Sequence, residues 1–401
     1  MADQITGKAP RIRFKPYSEP WVDEKIGDVL AEKRRPIVLE DDQRYELITV
    51  KRRNEGVVSR GHLLGRDIMV KNYAQLKAGD FVISKRQVVH GATGIVPPAL
   101  DGAIVSNEYL TAVDSEKLLT EFLTIVASLP AMRRKFFLSS YGVDIEKLFF
   151  DADDWRKRNV MLPDVQEQSR IGQFFRNLDD LLGLHQRKHE KLAALKVAML
   201  QKMFPKPGAT VPEVRFQEFS EPWVEKKLKN VGIFNPKEVL PDCFEYVDLE
   251  SVVGTEMVGH RKETRTTAPS RAQRLARRGD LFFQTVRPYQ KNNHLFNLPD
   301  ENYVFSTGYA QIRPHDDGSF LLSLMQRDDF VRVVLANCTG TSYPAITANA
   351  LSEIFILTPS ADEQKRIGAY FFNLNTLIAR HAAQIRKLHQ IKLACLDEMF
   401  V

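Results

Sequence analysis

The chain says most things twice. Pro10–Ile26 reads PRIRFKPYSEPWVDEKI and Pro212–Leu228 reads PEVRFQEFSEPWVEKKL, identical at nine of 17 positions. Pro163–Phe204 matches Pro359–Phe400 at 18 of 42 positions. Two copies at this spacing are too few and too far apart for a solenoid, whose units run about 20–50 residues. They imply two homologous halves with pseudo-twofold symmetry. The repeats cut the chain into residues 1–163, 164–206, 207–359 and 360–401, with the first and third variable and the second and fourth helical.

The helical reading rests on period. Ile171, Phe174, Leu178, Leu181, His185, Lys188, Leu192, Leu195 and Met199 alternate in steps of three and four, a heptad seam. A shift of 196 gives Ile367, Tyr370, Leu374, Leu377, His381, Gln384, Leu388, Ile391 and Cys395. Pro163 and Pro359 precede the helices, with acidic residues in the first turns. At about 1.5 Å per residue, each makes a rod of about 60 Å. A single-sided apolar seam cannot stand alone in water, so the two are expected to pair with each other, antiparallel. The expected core includes Ile171, Leu178, His185, Leu192, Ile367, Leu374, His381 and Leu388. His185 and His381 hold equivalent mid-helix positions and should lie near the axis. There they would fix register, as one buried polar residue does in other coiled coils. Two imidazoles alone make a poor metal site.

The variable segments read as mixed α/β (α+β) domains. Strand-like runs are Tyr45–Val50, Phe81–Ser84, Ala103–Ser106, Phe244–Leu249, Leu281–Thr285 and Val304–Ser306. Gly79-Asp80, Ser106 and Tyr109 recur as Gly279-Asp280, Ser306 and Tyr309, and are expected to be turn formers. In the Ser18–Trp21 and Ser220–Trp223 elements, serine followed by proline suggests a helix start, with the tryptophan buried.

Composition narrows the function. The net charge is +6, with 43% apolar and 27% charged residues, suiting folded domains with an acidic partner permitted. Cys243, Cys338 and Cys395 lie far apart, in neither zinc nor disulfide spacing. No signal-peptide pattern and no membrane-length apolar run occurs, so a cytoplasmic protein is expected. Phosphate-loop, HExxH and GxSxG motifs are absent, as is the Asn/Asp-Pro-Pro-aromatic motif of amino-methyltransferases. That leans toward a binding protein rather than an enzyme. Basic residues cluster in both variable segments: nine Lys/Arg against three Asp/Glu in 51–90, and nine against two in 260–293. Such runs interleaved with Gln, Asn, Tyr and His suit duplex DNA, where cations neutralise phosphates and Arg, Asn and Gln read base edges. Candidate contacts are Lys85, Arg86 and His90 in the first segment, and Arg261, Arg271, Arg287, Tyr289, Lys291 and Asn292 in the second.

Taken together, Glu167–Pro205 and its weaker copy Glu363–Phe400, the SEPW elements, the Gly-Asp strands, Ala268–Arg271 and Val286–Tyr289 resemble the specificity subunit of type I restriction–modification systems. The resemblance implies target-recognition domains at 1–163 and 207–359 and conserved spacer helices at 164–206 and 360–401. Each domain would read half of a gapped, bipartite double-stranded DNA site. The helices would set the gap and dock two adenine-N6 methyltransferase subunits, joined by endonuclease/translocase subunits. S-adenosylmethionine would sit on the methyltransferases, with no cofactor and no catalysis on this chain. The second helix departs from the pattern at His381–Leu388, HAAQIRKL. Alternatives are a two-headed coiled-coil scaffold for proteins, or a nuclease with a dispersed site.

Overall fold

A computed structural model describes residues 9–69, 72–300, 302–340 and 342–401. It divides into two compact units, one formed by Met1–Leu184 with Ile385–Val401 and the other by His185–Gln384.

In the first unit one sheet runs Ala31–Glu32, Tyr109–Val113, Phe81–Ser84, Thr93–Ile95, all antiparallel. A second sheet runs Pro36–Ile37, Tyr73–Gln75, Ile104–Ser106, Arg44–Val50, Val57–Leu64, with the pairing of 104–106 to 44–50 parallel. A ribbon joins Val22–Lys25 to Asn159–Leu162. The second unit repeats this plan. Its sheets run Gly232–Phe234, Tyr309–Pro314, Leu281–Gln284, His294–Leu295, and Ala272–Leu275, Tyr303–Ser306, Cys243–Val247, Arg261–Thr264. The parallel pairing recurs between 243–247 and 303–306, and the ribbon between Val224–Lys227 and Phe355–Thr358. Two mixed α/β units thus share one topology. The first adds the edge strand Pro36–Ile37.

The repeated motifs are the joints of this plan. Gly79 (φ 90°) and Gly279 (φ 92°) turn left-handed, which glycine does without steric cost, and deliver a buried aspartate to the strand start. Asp80 accepts the Lys77 N–H and a two-pronged Arg35 guanidinium. Asp280 accepts the Arg277 N–H and the Arg313 guanidinium. Ser106 and Ser306 accept the N–H two residues on, from Glu108 and Gly308. The SEPW elements differ from expectation: they lead into the strands Val22–Lys25 and Val224–Lys227, not helices. Ladder pairing with the strand before each long helix outweighs the local serine–proline preference. Trp21 packs edge-on to Phe122 and Phe400, and Trp223 to Phe204 and Phe320.

The long helices are Val165–Lys202 and Ala361–Glu398. Asp164 Oδ1 and Ser360 Oγ cap them, accepting the N–H of Glu167 and Glu363. In the first unit Ile171 and Phe175 share a core with Cys395, Met399 and Phe400. In the second, Met199, Met203 and Phe204 share one with Ile367 and Phe371. Within each unit the helices therefore pair antiparallel. Of the expected seam, Phe174 and Tyr370 are half-buried against these cores and Gln384 is half-buried, but Leu181, Lys188, Leu195, Leu377 and Ile391 depart from expectation. The seam's inner residues are Ile171, Phe175, Leu178, Leu182, His185, His189, Leu192, Lys196 and Met199, and on the second helix Ile367, Phe371, Leu374, Ile378, His381, Ile385, Leu388, Lys392 and Cys395, all buried or half-buried. Leu181, Leu195, Leu377 and Ile391 instead face outward, 38–45% exposed, and Lys188 is exposed too. Adjacent apolar pairs such as Leu181-Leu182 satisfy two neighbouring stripes, and the aliphatic stems of Lys196 and Lys392 fill positions that look like surface. In the second unit His185 and His381 meet, Nδ1 to Nδ1, at 2.9 Å.

Candidate nucleic-acid interface

The loops leaving Phe81–Ser84 and Leu281–Gln284 are built alike. Each enters a single 3-10 turn, Val88–His90 or Pro288–Gln290, closed by a left-handed residue, Gly91 (φ 76°) or Lys291 (φ 56°). Lys85, Arg86 and His90 therefore occupy the same element as Arg287, Tyr289, Lys291 and Asn292. Both loops are tied to a later segment of their own unit. The Phe150 N–H donates to Lys85 O at 3.0 Å and the Arg287 N–H to Pro344 O at 2.8 Å. The Arg86 guanidinium lies 5.2 Å over the Phe149 ring, and that of Arg287 4.4 Å over Tyr343.

Several expected contacts are already engaged. Lys85 Nζ donates to Asn107 O at 3.1 Å. Arg86 Nε donates to Glu108 at 2.6 Å, which holds its pKa up. His90 Nε2 is sealed from solvent without a hydrogen bond, 3.5 Å from the Glu146 carboxylate. Lys291 pairs with Asp328 at 2.5 Å, and Asn292 Oδ1 accepts the Gly254 N–H at 2.8 Å. Tyr289 is half exposed. Arg261 and Arg271 lie on the other sheet rather than on this loop. Arg261 sits on its edge strand, clamped by Asp248 (2.7 Å) and Glu263 (3.0 Å) over the Tyr246 ring. Those carboxylates raise its pKa; the Ser251 hydroxyl and then Arg261 hold the Asp248 carboxyl down, and Arg261 holds Glu263 down. Arg271, just before Ala272–Leu275, is exposed and unpaired among the described residues.

Beyond Arg261, the edge strands themselves were not among the expected contacts. Val57–Leu64 pairs along Arg44–Val50 with a bulge near Leu47, and Ser59, Arg60, Gly61 and His62 are consecutively exposed. Arg261–Thr264 is its counterpart, with Lys262 exposed. The Arg60 and Lys262 cations have no partner among the described residues. A two-stranded ribbon of this kind fits the major groove of B-DNA. A polar quartet inside an otherwise β-rich run, after the Asn54-Glu55-Gly56 turn, was the available signal. Other cations of the basic runs serve the fold: Arg277 pairs with Glu238, and Arg274 is half-buried, which lowers its pKa.

Residues 18–194 match the family described as the type I restriction modification DNA specificity domain. That match spans a little under half of the chain. The HindI specificity subunit of Haemophilus influenzae is 24% identical over 179 residues, a match spanning 43% of this chain and 36% of that protein. The S subunit of a type I system from M. genitalium aligns over 98% of this chain and 99% of its own, with TM-score 0.56 and 12% identity, a likeness of fold. The HsdS subunit of Thermoanaerobacter tengcongensis aligns over 96% of this chain and 98% of its own at 21% identity, with TM-score 0.45. The two units share one sheet plan, and at the edge strands and post-strand loops they differ in side chains. No helix among the described residues is long and apolar enough to cross a membrane.

Proposed function

We propose that this chain is the sequence-specificity subunit of a type I restriction–modification complex, each unit reading one half of a gapped, bipartite DNA site. One observation carries the reading: two units that share one sheet plan present different polar side chains at equivalent strands and loops, Ser59–His62 against Arg261–Thr264, and Lys85, Arg86 and His90 against Arg287, Tyr289, Lys291 and Asn292. A constant frame with two unlike reading surfaces suits an asymmetric two-part site. Clamped guanidiniums such as Arg261 suit base edges, and unpartnered cations such as Arg60, Lys262 and Arg271 suit phosphates.

The long helices would set the distance between half-sites. The outward-facing Leu181, Leu184, Leu195, Val197, Phe372, Leu377, Ile391 and Leu393 supply apolar surface for two adenine-N6 methyltransferase subunits to cover. Those subunits would carry S-adenosylmethionine and the chemistry, and endonuclease/translocase subunits would join them. This chain would contribute recognition alone, in the cytoplasm where its DNA lies. A genome-wide map of N6-methyladenine, with the gene intact and deleted, tests the reading. The expected result is a gapped two-part motif that loses methylation on deletion. An unchanged map in cells with active partner subunits refutes it.

A further inference from the structure

The corner leading into the first unit's edge strand is short and strongly left-handed. Arg53 (φ 60°) and Asn54 (φ 58°) are both left-handed, a region that L side chains enter against steric resistance. The second unit makes the corresponding connection with a longer stretch, 248–260, that adds a small hairpin of Val252–Val253 and Glu256–Met257, whose turn holds Gly254 (φ 63°). A third left-handed residue of the first unit's corner, Gly56 (φ 87°), is a glycine and takes that conformation freely, whereas Arg53 and Asn54 do not.

Asn54 is explained by its partners. Its N–H donates to Gly91 O at 2.8 Å, its Nδ2 to Thr93 Oγ1 at 2.9 Å, and its Oδ1 accepts from Arg133 Nη2 at 2.9 Å. Arg53 has no such explanation. Its side chain is exposed, and its guanidinium has no hydrogen bond or ion pair among the described residues. A non-glycine residue held left-handed thus has a side chain with no partner in the fold. Strain held in place by its surroundings tends to mark a functional position. The neighbourhood fits an anionic ligand. Exposed Lys51 precedes it, Arg52 is held beside it by Gln87 (2.8 Å) and Glu146 (2.9 Å), and Arg133 reaches in from the helix Pro130–Leu138. Four cations from two separated segments meet at one corner, adjoining the strand that carries Arg60 and His62.

We infer that Arg53 is a DNA-phosphate contact of the first unit, holding the backbone beside the edge strand Val57–Leu64. It rests on the DNA-recognition reading above. An unanchored guanidinium among other cations fixes position and affinity and carries no sequence information, whereas base reading needs a side chain held at a set angle.

Arg53→Gly tests this cleanly, because glycine takes φ near 60° without resistance while the cation is lost. Arg53→Lys keeps the charge. The full-length chain is titrated with a mixed-sequence DNA duplex across a salt series, and each variant is melted. For Arg53→Gly the slope of log K against log salt should shrink by about 0.9, one phosphate contact. Its melting temperature should be no lower than wild type, Arg53→Lys should keep the slope, and the methylated motif in cells should be unchanged. An unchanged slope for Arg53→Gly overturns the assignment. So does a fall in its melting temperature, which would make Arg53 structural, or a changed base in the motif, which would make it a base reader. If the wild-type chain itself shows no salt-dependent binding, the DNA-recognition reading falls and this assignment with it.

Discussion

Removing Arg13 should unfold the first unit at a markedly lower temperature. Its guanidinium donates twice to Glu167, Nε and Nη2 each at 2.7 Å, and this carboxylate raises the arginine pKa. The pair ties the N-terminal repeat to the first turn of the long helix. Arg215 does the same to Glu363 in the second unit, at 2.8 Å on both prongs. The side chain of Glu167 is 1% exposed and that of Arg13 12%. Arg13→Met therefore strands a sealed carboxylate, a loss of about 3–5 kcal/mol. For a unit of this size, about 2–4 °C per kcal/mol makes that a fall of about 6–20 °C. Glu167→Gln should cost less, because the arginine it frees can lean toward water and the amide can still accept. Arg13→Met with Glu167→Leu should recover much of the loss, since an apolar pair leaves no charge behind. Calorimetric melts of the single and double variants form a double-mutant cycle. A fall under about 3 °C for Arg13→Met, or losses that simply add in the double variant, would refute the reasoning.

Two further perturbations have clear directions. A Cβ on Gly368 would stand 2.0 Å from Asp317 Oδ1, the oxygen that caps the Phe320 N–H. Gly368→Ala should cost about 2 kcal/mol or more by evicting that cap. Gly172→Ala meets the movable Glu121 side chain at 3.1 Å and should cost less than about 1 kcal/mol, so equal losses in urea melts would contradict the packing argument. His185 and His381 can share one proton across 2.9 Å but not two. Burial, then the neighbouring His185, Lys188 and Arg380, lower the His381 pKa. A folded pKa below the unfolded one means the unfolded chain binds the extra proton, so stability is retained above about pH 6.5 and falls as pH drops below it. Melts between pH 8 and pH 5 should show that decline, and His185→Leu with His381→Leu should flatten it. A decline of the same size in the double variant would place its origin elsewhere.

The repeats made the fold legible. Period, prolines and offset Gly-Asp marks are local, and they located the long helices and the central strands. The seam was legible only by half. Phe174-Phe175 and Leu181-Leu182 offer apolar residues to two adjacent stripes, and only packing against a partner chooses between them. The SEPW turn was misleading because a ladder to strands about 130 residues away decides its shape. The site was least legible. Sequence shows where cations are dense but not which are spent: Arg261 and Lys291 are held by carboxylates, whereas Arg53, Arg60 and Lys262 are not. That distinction depends on acidic residues brought in from elsewhere, such as Asp248 and Asp328.

The division of the chain sets an order of manufacture. His185–Gln384 is one continuous stretch and can close as soon as the ribosome has released it. The first unit is made earlier but cannot be finished then, because Met399 and Phe400 belong to the same core as Trp21, Phe122 and Phe175. Until Ile385–Val401 emerges, that core has an open side, and its newly made apolar surface must wait through the synthesis of an entire second unit. A genetic lesion confined to the codons of Met399 and Phe400 would therefore be felt first in the core around Trp21 and Phe122, more than 270 positions earlier in the sequence.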